Sequence, residues 1–400
     1  MLVVLVYLAL FVANGDDVVI GGDNTKVGLA TCVGIFLLIG MLQFRDGPFV
    51  RPHPAFWRIV LSLSVVYQII LVFVAFQNKH TMRALLKEFD PSLGVPLPDK
   101  SYAEDCSLSP ASMWDQLDIF VLAHALGWYC KAIVLRDYWF CWILSVMFEF
   151  LEYTFEHQLP NFAECWWDHW ILDVLLANWI GIILGMKTCQ YFAMKQYSWR
   201  GVNDIPTYRG KVARAMQQFT PHSWTEFNWE GTTTFKNFLA VIGLLYIILQ
   251  SEMNAFYLKY LLWLPPAHPI NVWRLIYYFF MALPATREAF QFMSDRRCKR
   301  LGMHAWMAIA NIFTELLIVV KFSQGEFHTP MPRRVKAAWA AFAALLAVYA
   351  IVRFGMGSSS GTTSPRAKSP LRTSLKKQEK VGHSPKGKNN REAKLRQKSS

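Results

Sequence analysis

The sequence predicts an all-α fold, a polytopic bundle of about ten transmembrane helices followed by a disordered basic tail. Of the 400 residues, 54% are hydrophobic and only 17% are charged, whereas a soluble chain carries about 25% charged residues. Apolar stretches that approach the length of a bilayer crossing recur along most of the chain, and the alternation typical of strands is lacking. We therefore expect a membrane domain over residues 1–354 and a cytosolic tail over residues 355–400.

Ten apolar stretches are candidate spans. They cover roughly residues 1–13, 27–44, 56–76, 116–135, 139–155, 170–191, 236–262, 271–284, 302–322 and 335–354. The first is short, and a signal-peptide core is the alternative interpretation. It lacks a basic n-region and a clean cleavage site before Asn14, which favours a membrane helix. The eighth is also short, and a re-entrant segment is an alternative there.

The positive charge is concentrated in the tail. The chain has a formal charge of +13, and residues 357–400 contain 12 Lys and Arg against two acidic residues. A nearly neutral body of this kind excludes a basic globule that binds nucleic acid, so we expect no nucleic-acid partner. The tail has too few aliphatic residues to form a core. It is suited to an anionic cytoplasmic membrane surface, and a merely solubilising role is equally compatible.

Loop charges predict the orientation. With a cytosolic N-terminus, the cytoplasmic loops hold 14 Lys and Arg and the opposite loops hold 7, in accordance with the positive-inside rule. An even number of spans then places both termini in the cytosol. The last five residues, RQKSS, resemble the dibasic retrieval signal of endoplasmic-reticulum membrane proteins.

The cysteines give no pairing signal. All seven are scattered without a C-x-x-C pair, and most lie in apolar runs where cysteine behaves as a small hydrophobe. The sequence therefore predicts neither a disulfide framework nor a zinc site.

Ionisable and amide side chains are concentrated between residues 118 and 178. His124 lies in the fourth span, and Glu149 and Glu152 are three residues apart on one face of the fifth. The following connection and the start of the sixth span contribute Asn161, Glu164, Asp168, Asp173 and Asn178. In the predicted topology all of these residues lie towards the non-cytoplasmic side.

Five carboxylates in one place require either protons or a cation, because only Lys131 and Arg136 accompany them. The ligands would be oxygen atoms around a single histidine, because we count His124 as the only histidine of the cluster. Such a set suits a hard divalent ion such as Ca²⁺ or Mg²⁺. A buried hydrogen-bonded carboxyl pair is the structural alternative. Other charged residues in or near spans are isolated, and we assign them structural or interfacial roles: Glu252, Lys259, Arg274 and Glu315.

Several sequence blocks resemble one known family. Residues 159–168, LPNFAECWWD, together with Asp173 and Asn178, resemble the signature of the eukaryotic base-exchange phosphatidylserine synthases. Residues 45–54 (RDGPFVRPHP), 218–224 (QFTPHSW) and 298–300 (CKR) resemble further blocks in the same order. The similarity covers roughly residues 30–330, most of the chain.

This resemblance implies a multi-span enzyme of the endoplasmic reticulum membrane. It would be a phosphatidyltransferase that replaces the ethanolamine or choline of a phospholipid with L-serine, with Ca²⁺ and without ATP. Its partners would be L-serine, phosphatidylethanolamine or phosphatidylcholine and the bilayer, and a homodimer is left open. We lean towards the ethanolamine lipid as donor.

The resemblance also assigns roles to residues. His124 is the candidate base for the serine hydroxyl, Asn161 and Asn178 complete the catalytic set, and Asn161 with Glu164 binds substrate. The expected Ca²⁺ ligands are Glu149, Glu152, Glu164, Asp168 and Asp173. A second set, linked to inhibition by the product, lies on the cytoplasmic side and comprises Arg51, His53, Cys141, Arg214, Gln218 and Arg300.

The reaction route and the class of function are both left open by these residues. Direct attack by serine and a two-step route through a phosphatidyl-enzyme are both compatible with these residues. A membrane-embedded, metal-dependent phospholipase would use the same ligands with water as nucleophile. A lipid transporter or channel is disfavoured, because its polar residues would line several spans rather than lie towards one side.

Overall fold

A computed structural model shows a helical protein. It describes residues 23–98, 103, 106–107, 119–194, 205–218, 226–295 and 297–355. No strand occurs within these residues, which confirms the predicted all-α fold. The first predicted span, residues 1–13, and the basic tail from residue 356 onwards lie outside the described residues.

Nine of the eleven helices in the described residues coincide with predicted apolar stretches, and two short ones, Lys79–Phe89 and Tyr208–Gln218, lie in predicted loops. The eleven helices are α1 (Asp23–Gln43), α2 (Pro54–Phe76), α3 (Lys79–Phe89), α4 (Ile119–Leu135), α5 (Tyr138–Phe155), α6 (Trp179–Met194), α7 (Tyr208–Gln218), α8 (Phe235–Leu262), α9 (Pro269–Ser294), α10 (Met303–Phe322) and α11 (Arg333–Ala350). A π-helical segment, Asp168–Asn178, leads directly into α6, and a short 3₁₀ turn, Pro160–Phe162, precedes it. Residues Ile351–Gly355 continue α11 as π-helix.

Six of these helices are long and apolar enough to cross a bilayer. They are formed by residues 25–43, 54–76, 168–192, 235–262, 303–322 and 333–355, and a shorter apolar helix covers residues 121–135. The prediction of about ten spans is therefore not confirmed. Helices α5 and α9 coincide with predicted spans, but each carries charged side chains that reduce its mean hydropathy, Glu149 and Glu152 in α5 and Arg274 and Arg287 in α9.

Side-chain caps set the starts of several helices. The Asp137 carboxylate accepts a hydrogen bond from the Phe140 amide and so begins α5, the helix that carries Glu149 and Glu152. His53 caps α2 through the Ala55 amide, directly before a proline at the first helical position. These caps fix the residues at which α5 and α2 begin.

Helices α4 and α6 lie in close contact because glycine occurs where they meet. A Cβ atom on Gly181 would come within 2.3 Å of the Ala125 carbonyl oxygen, and one on Gly185 within 2.6 Å of the Ala132 Cβ. This close approach brings the first turns of α4 against the π-helical segment before α6. The two elements together hold the acidic site described below.

A second polar network crosses the interior between α2, α8, α9 and α10. The Arg274 guanidinium lies 2.7 Å from the fully buried Glu315 carboxylate, which also accepts hydrogen bonds from the Tyr67 hydroxyl and the Asn254 amide. Lys131 and Glu252 likewise form an ion pair. The expectation that Glu252, Arg274 and Glu315 are isolated is therefore wrong, since their partners come from other helices and sequence spacing does not reveal them.

We expect the Arg274→Leu variant to be strongly destabilised. It leaves the Glu315 charge buried without its partner, and breaking a buried pair costs about 3–5 kcal/mol. The double variant Arg274→Leu/Glu315→Leu removes both charges and should recover much of that loss. Thermal unfolding in detergent measures the difference, and equal unfolding midpoints for the single and double variants would contradict the assignment.

Candidate active site and metal centre

The polar residues converge at one end of three consecutive elements. Helix α4 begins there with His124, α5 ends there with Glu149 and Glu152, and the π-helical segment begins there with Asp168. π-Helical turns are uncommon and occur frequently at functional sites. In this segment His169, Leu172, Asp173, Val174, Ala177 and Asn178 are buried. The segment therefore directs its polar side chains towards α4 and α5 rather than towards lipid.

Two buried glutamates and a buried histidine form the centre of the site. The Nδ1 atom of His169 lies 2.8 Å from Glu149 Oε2 and 3.2 Å from Glu152 Oε2. One ligand atom from each of the three residues lies within 4.8 Å of the others. Glu149 Oε1 and His169 Nε2 are buried without a hydrogen-bond partner. Buried polar atoms of this kind are costly unless a ligand or ion satisfies them.

Glu164 completes this centre from the connecting segment. Its Oε2 lies 3.8 Å from the His169 Nδ1 atom. Burial, with the negative charge of Asp173 adding to it, raises the pKa of Glu164 to about 8. A bound cation would reverse this effect, because it stabilises the ionised carboxylate.

His124 and Asp173 form a separate pair beside the centre. The His124 Nδ1 atom lies 3.1 Å from Asp173 Oδ1, and the imidazole is about one-third exposed while the carboxylate is buried. A carboxylate at Nδ1 holds a histidine in the tautomer that leaves Nε2 free to accept a proton. The pair therefore has the arrangement of an oriented general base.

The remaining predicted residues lie around these two groups. The Asn178 amide donates to the Ser145 hydroxyl, on the α5 face that carries Glu149 one turn further on. The Oδ1 atom of Asn178 is buried without a hydrogen-bond partner. Asn161 lies in the 3₁₀ turn before Glu164, and Asp168 opens the π-helical segment. Both are half-buried.

His169, which lies at the centre of the carboxylates, was not among the predicted site residues. Counting His124 as the only histidine of the cluster was wrong, because the buried His169 imidazole lies among the carboxylates. The signal was present, because His169 directly follows the acidic block that ends at Asp168.

The residues present fit a divalent cation. Two buried carboxylates and Glu164 supply oxygen ligands of the kind that hard cations prefer, and Glu149 Oε1 and His169 Nε2 have no hydrogen-bond partner. The His169 imidazole makes the donor set mixed, so Mn²⁺ or Zn²⁺ would also find ligands there. The arrangement of these side chains thus favours a metal centre and does not distinguish among these ions.

A disulfide joins the site to the preceding loop. Cys106 is bonded to Cys165, which directly follows Glu164 and is fully buried. The sequence predicted no disulfide framework, and the Cys106–Cys165 bond contradicts that prediction for this pair. Both cysteines belong to polar connections rather than apolar runs, and 59 residues separate them, so their spacing gave no signal.

Most of the second predicted set lies at the other end of the bundle. His53 begins α2, Cys141 lies in the first turn of α5, and Arg300 precedes α10. Phe49 and Trp57, which flank Arg51 and His53, pack against the C-terminal turns of α4. The half-buried Arg214 lies in α7, and the Gln218 side chain lies outside the described residues. About 16 Å of helix separates His124 from the end of α4, so the two sets are spatially distinct.

Comparison with known proteins identifies the family. The profile of the family described as "Phosphatidyl serine synthase" matches residues 52–323, most of the chain and all of the site. The chain belongs to the phosphatidylserine synthase family. This confirms the resemblance seen in the sequence blocks.

Relatives from animals and plants cover most of the chain. Phosphatidylserine synthase 2 of Danio rerio is 45% identical over 359 residues, 88% of this chain and 79% of the relative. The human protein of the same name is 46% identical over 340 residues, 83% of this chain and 70% of the relative. CDP-diacylglycerol–serine O-phosphatidyltransferase 2 of Oryza sativa subsp. japonica is 40% identical over 336 residues, 82% of this chain and 79% of the relative.

Proposed function

We propose that this protein makes phosphatidylserine by Ca²⁺-dependent base exchange, with L-serine replacing the ethanolamine or choline of a membrane phospholipid. Membership of the family makes it a phosphatidyltransferase of phosphatidylserine synthesis. The observation that carries the finer proposal is the location of the buried carboxylates beside the His124–Asp173 pair. This combination supplies a cation site for a phosphate and a base for a hydroxyl nucleophile.

Each group has a distinct part in the reaction. The Nε2 atom of His124 accepts the proton of the serine hydroxyl and returns it to the departing ethanolamine or choline oxygen. Asp173 holds the imidazole in position through Nδ1. Glu149, Glu152, Glu164 and His169 would hold the cation. Bound Ca²⁺ would draw charge from the phosphoryl oxygens and so lower the barrier to attack at phosphorus.

Base exchange explains why such a site needs no nucleotide. One phosphodiester replaces another, so the free energies of reactant and product are close. The enzyme needs only to activate the hydroxyl and stabilise charge at phosphorus. Direct attack and a phosphatidyl-enzyme route both meet this requirement.

A dual-label assay tests exchange against hydrolysis. Purified protein in vesicles is supplied with labelled serine and with phosphatidylethanolamine that is labelled in its head group. Base exchange predicts one ethanolamine released for each serine incorporated, with no phosphatidic acid formed. Ethanolamine release that continues without serine and yields phosphatidic acid would instead identify a phospholipase D-type hydrolase.

A second candidate function follows from the plant relatives. The rice relative is named for a reaction of CDP-diacylglycerol with serine. The same base and cation would serve that reaction, with CMP as the leaving group. CMP release that accompanies serine incorporation, together with no incorporation from phosphatidylethanolamine, would favour this alternative.

The disulfide supports the predicted orientation in the membrane. Disulfides persist in oxidising compartments such as the lumen of the endoplasmic reticulum, and Cys165 lies within the acidic site. We propose an endoplasmic-reticulum membrane protein whose acidic site faces the lumen and whose termini are cytosolic. The opposite end of the bundle, with Arg51, His53, Cys141 and Arg300, would then face the cytosol and sense the anionic product.

Thiol labelling tests the disulfide. In denatured membranes, a polyethylene-glycol maleimide should add two more tags to the wild-type chain after treatment with dithiothreitol, which reduces the bond to two thiols. The Cys106→Ser/Cys165→Ser variant should gain no further tags after reduction. We also expect this variant to require several-fold more Ca²⁺ for half-maximal activity, because the bond no longer holds the segment that carries Glu164. Equal tagging of the wild type before and after reduction would contradict the bond.

A further inference from the structure

Lys259, in α8, differs from the other half-buried cations of the helical bundle. Lys131 lies 3.0 Å from Glu252, and Arg274 lies 2.7 Å from Glu315. Among the described residues, no carboxylate forms an ion pair with Lys259, whose ammonium lies 5.1 Å from the centroid of the Phe256 ring. A half-buried ammonium group without a counter-ion is costly, and an anionic ligand would remove that cost.

The register of two helices places Lys259 at the same level as His124 along the helix axes. Helix α4 starts at the acidic site, whereas α8 ends there, since the Tyr257 hydroxyl donates to Gln158 just after α5. The Lys131–Glu252 ion pair fixes one level of this antiparallel pair. His124 lies seven residues before Lys131 on the same face of α4, and Lys259 lies seven residues after Glu252 on the same face of α8. His124 and Lys259 are therefore each about 10 Å along the helix axis from the ion pair, in the same direction.

Open space lies between these levels. Gly127 shares the α4 face with His124 and Lys131, and a Cβ atom placed on it would meet nothing within 4 Å. Aromatic rings line the neighbouring surface, with the Phe256 centroid 4.9 Å from that of Phe162 and 6.0 Å from that of Phe148. Phe162 directly follows Asn161. The surface beside Gly127 is therefore open, and aromatic rings lie between it and Lys259. We call this surface, between Gly127 and Phe256, the groove.

We propose that this groove binds the donor phospholipid, with Lys259 bound to a phosphate oxygen and an acyl chain lying over Gly127. The charge of Lys259 matches the phosphodiester, and the apolar surface matches the hydrocarbon chain. In this position the phosphorus atom lies between the cation ligands and the His124 base. The proposal deepens the proposed function and depends on it.

Kinetics with the Lys259→Gln variant test the phosphate contact. We expect the KM for the donor lipid in mixed vesicles to rise about tenfold, as for loss of one charge-assisted hydrogen bond. The KM for serine and the Ca²⁺ concentration for half-maximal activity should stay unchanged. Lys259→Arg keeps the charge and should restore most of the donor affinity. Lys187→Gln, at an exposed position on α6, is the matched control.

The Gly127→Leu variant tests the groove independently, because leucine fills the open space without changing any charge. Native mass spectrometry should detect less co-purified phospholipid for Gly127→Leu and Lys259→Gln than for Lys187→Gln. The groove proposal is overturned if the wild type is active and both variants have the same donor KM and the same lipid retention as the wild type. A wild type that incorporates no serine from any phospholipid would overturn the proposed function instead. If Lys259→Gln does not fold, Gly127→Leu and Lys259→Arg decide the outcome.

Discussion

Replacing His124 with alanine is expected to reduce serine incorporation by about 10²- to 10⁴-fold, the contribution typical of a general base. The imidazole is the exposed member of the His124–Asp173 pair and is the group that a hydroxyl substrate can reach. Cation binding should persist in this variant, because His124 is not a member of the Glu149–Glu152–His169 group. Initial rates with labelled serine measure the effect.

Two further variants distinguish a catalytic from a structural role for His124. Asp173→Asn keeps the shape of the side chain but loses the carboxylate that orients the base, so we expect an intermediate loss of rate. His80→Ala changes an exposed histidine in α3 and should leave the rate unchanged. Near-normal exchange by a folded His124→Ala protein would exclude this residue as the base.

Replacing Glu149 or Glu152 with glutamine is expected to weaken Ca²⁺ binding by at least about 10- to 100-fold and to reduce exchange in parallel. Each change keeps the size of the side chain and removes one buried negative charge from the centre. Equilibrium binding of ⁴⁵Ca²⁺ to purified protein measures the affinity without turnover. Glu156→Gln, at an exposed position just after α5, is the matched control.

The same binding measurement examines the identity of the ion. Competition with Mn²⁺ and Zn²⁺ shows whether the His169 imidazole gives a transition metal the advantage. Full Ca²⁺ binding and full exchange by both glutamine variants would contradict the metal centre. Loss of binding in the Glu156→Gln control alone would place the cation elsewhere.

The sequence was sufficient to predict the fold class and most of the site. Apolar length predicted nine of the eleven helices in the described residues, because a bilayer imposes one regular structure on such segments. The short helices α3 and α7 lie in segments that were predicted to be loops. The spacing of Glu149 and Glu152 predicted a shared helix face. The concentration of polar side chains predicted the remaining members, Asn161, Glu164, Asp168, Asp173 and Asn178. The structure brings Glu149, Glu152 and Glu164 together and places Asp173 against His124.

Contacts between distant segments could not be predicted. The Cys106–Cys165 bond, the Arg274–Glu315 pair and the Lys131–Glu252 pair each join residues that are more than 40 positions apart in sequence, and residue spacing contains no information about such contacts. The prediction of about ten spans is not confirmed, because six helices of the described residues have the length and hydropathy of a crossing, and charged residues reduce the hydropathy of α5 and α9. Lys259 received a structural role by default, and only the register of α4 and α8 relates it to His124.

The most direct test is serine incorporation by purified protein with three separate donors in otherwise identical vesicles. The donors are phosphatidylethanolamine, phosphatidylcholine and CDP-diacylglycerol, each with Ca²⁺ and with a chelator. We predict phosphatidylserine formation from the ethanolamine or choline lipid, and a loss of this activity in chelator that Ca²⁺ restores. Incorporation from CDP-diacylglycerol alone, or equal incorporation with and without chelator, would contradict Ca²⁺-dependent base exchange.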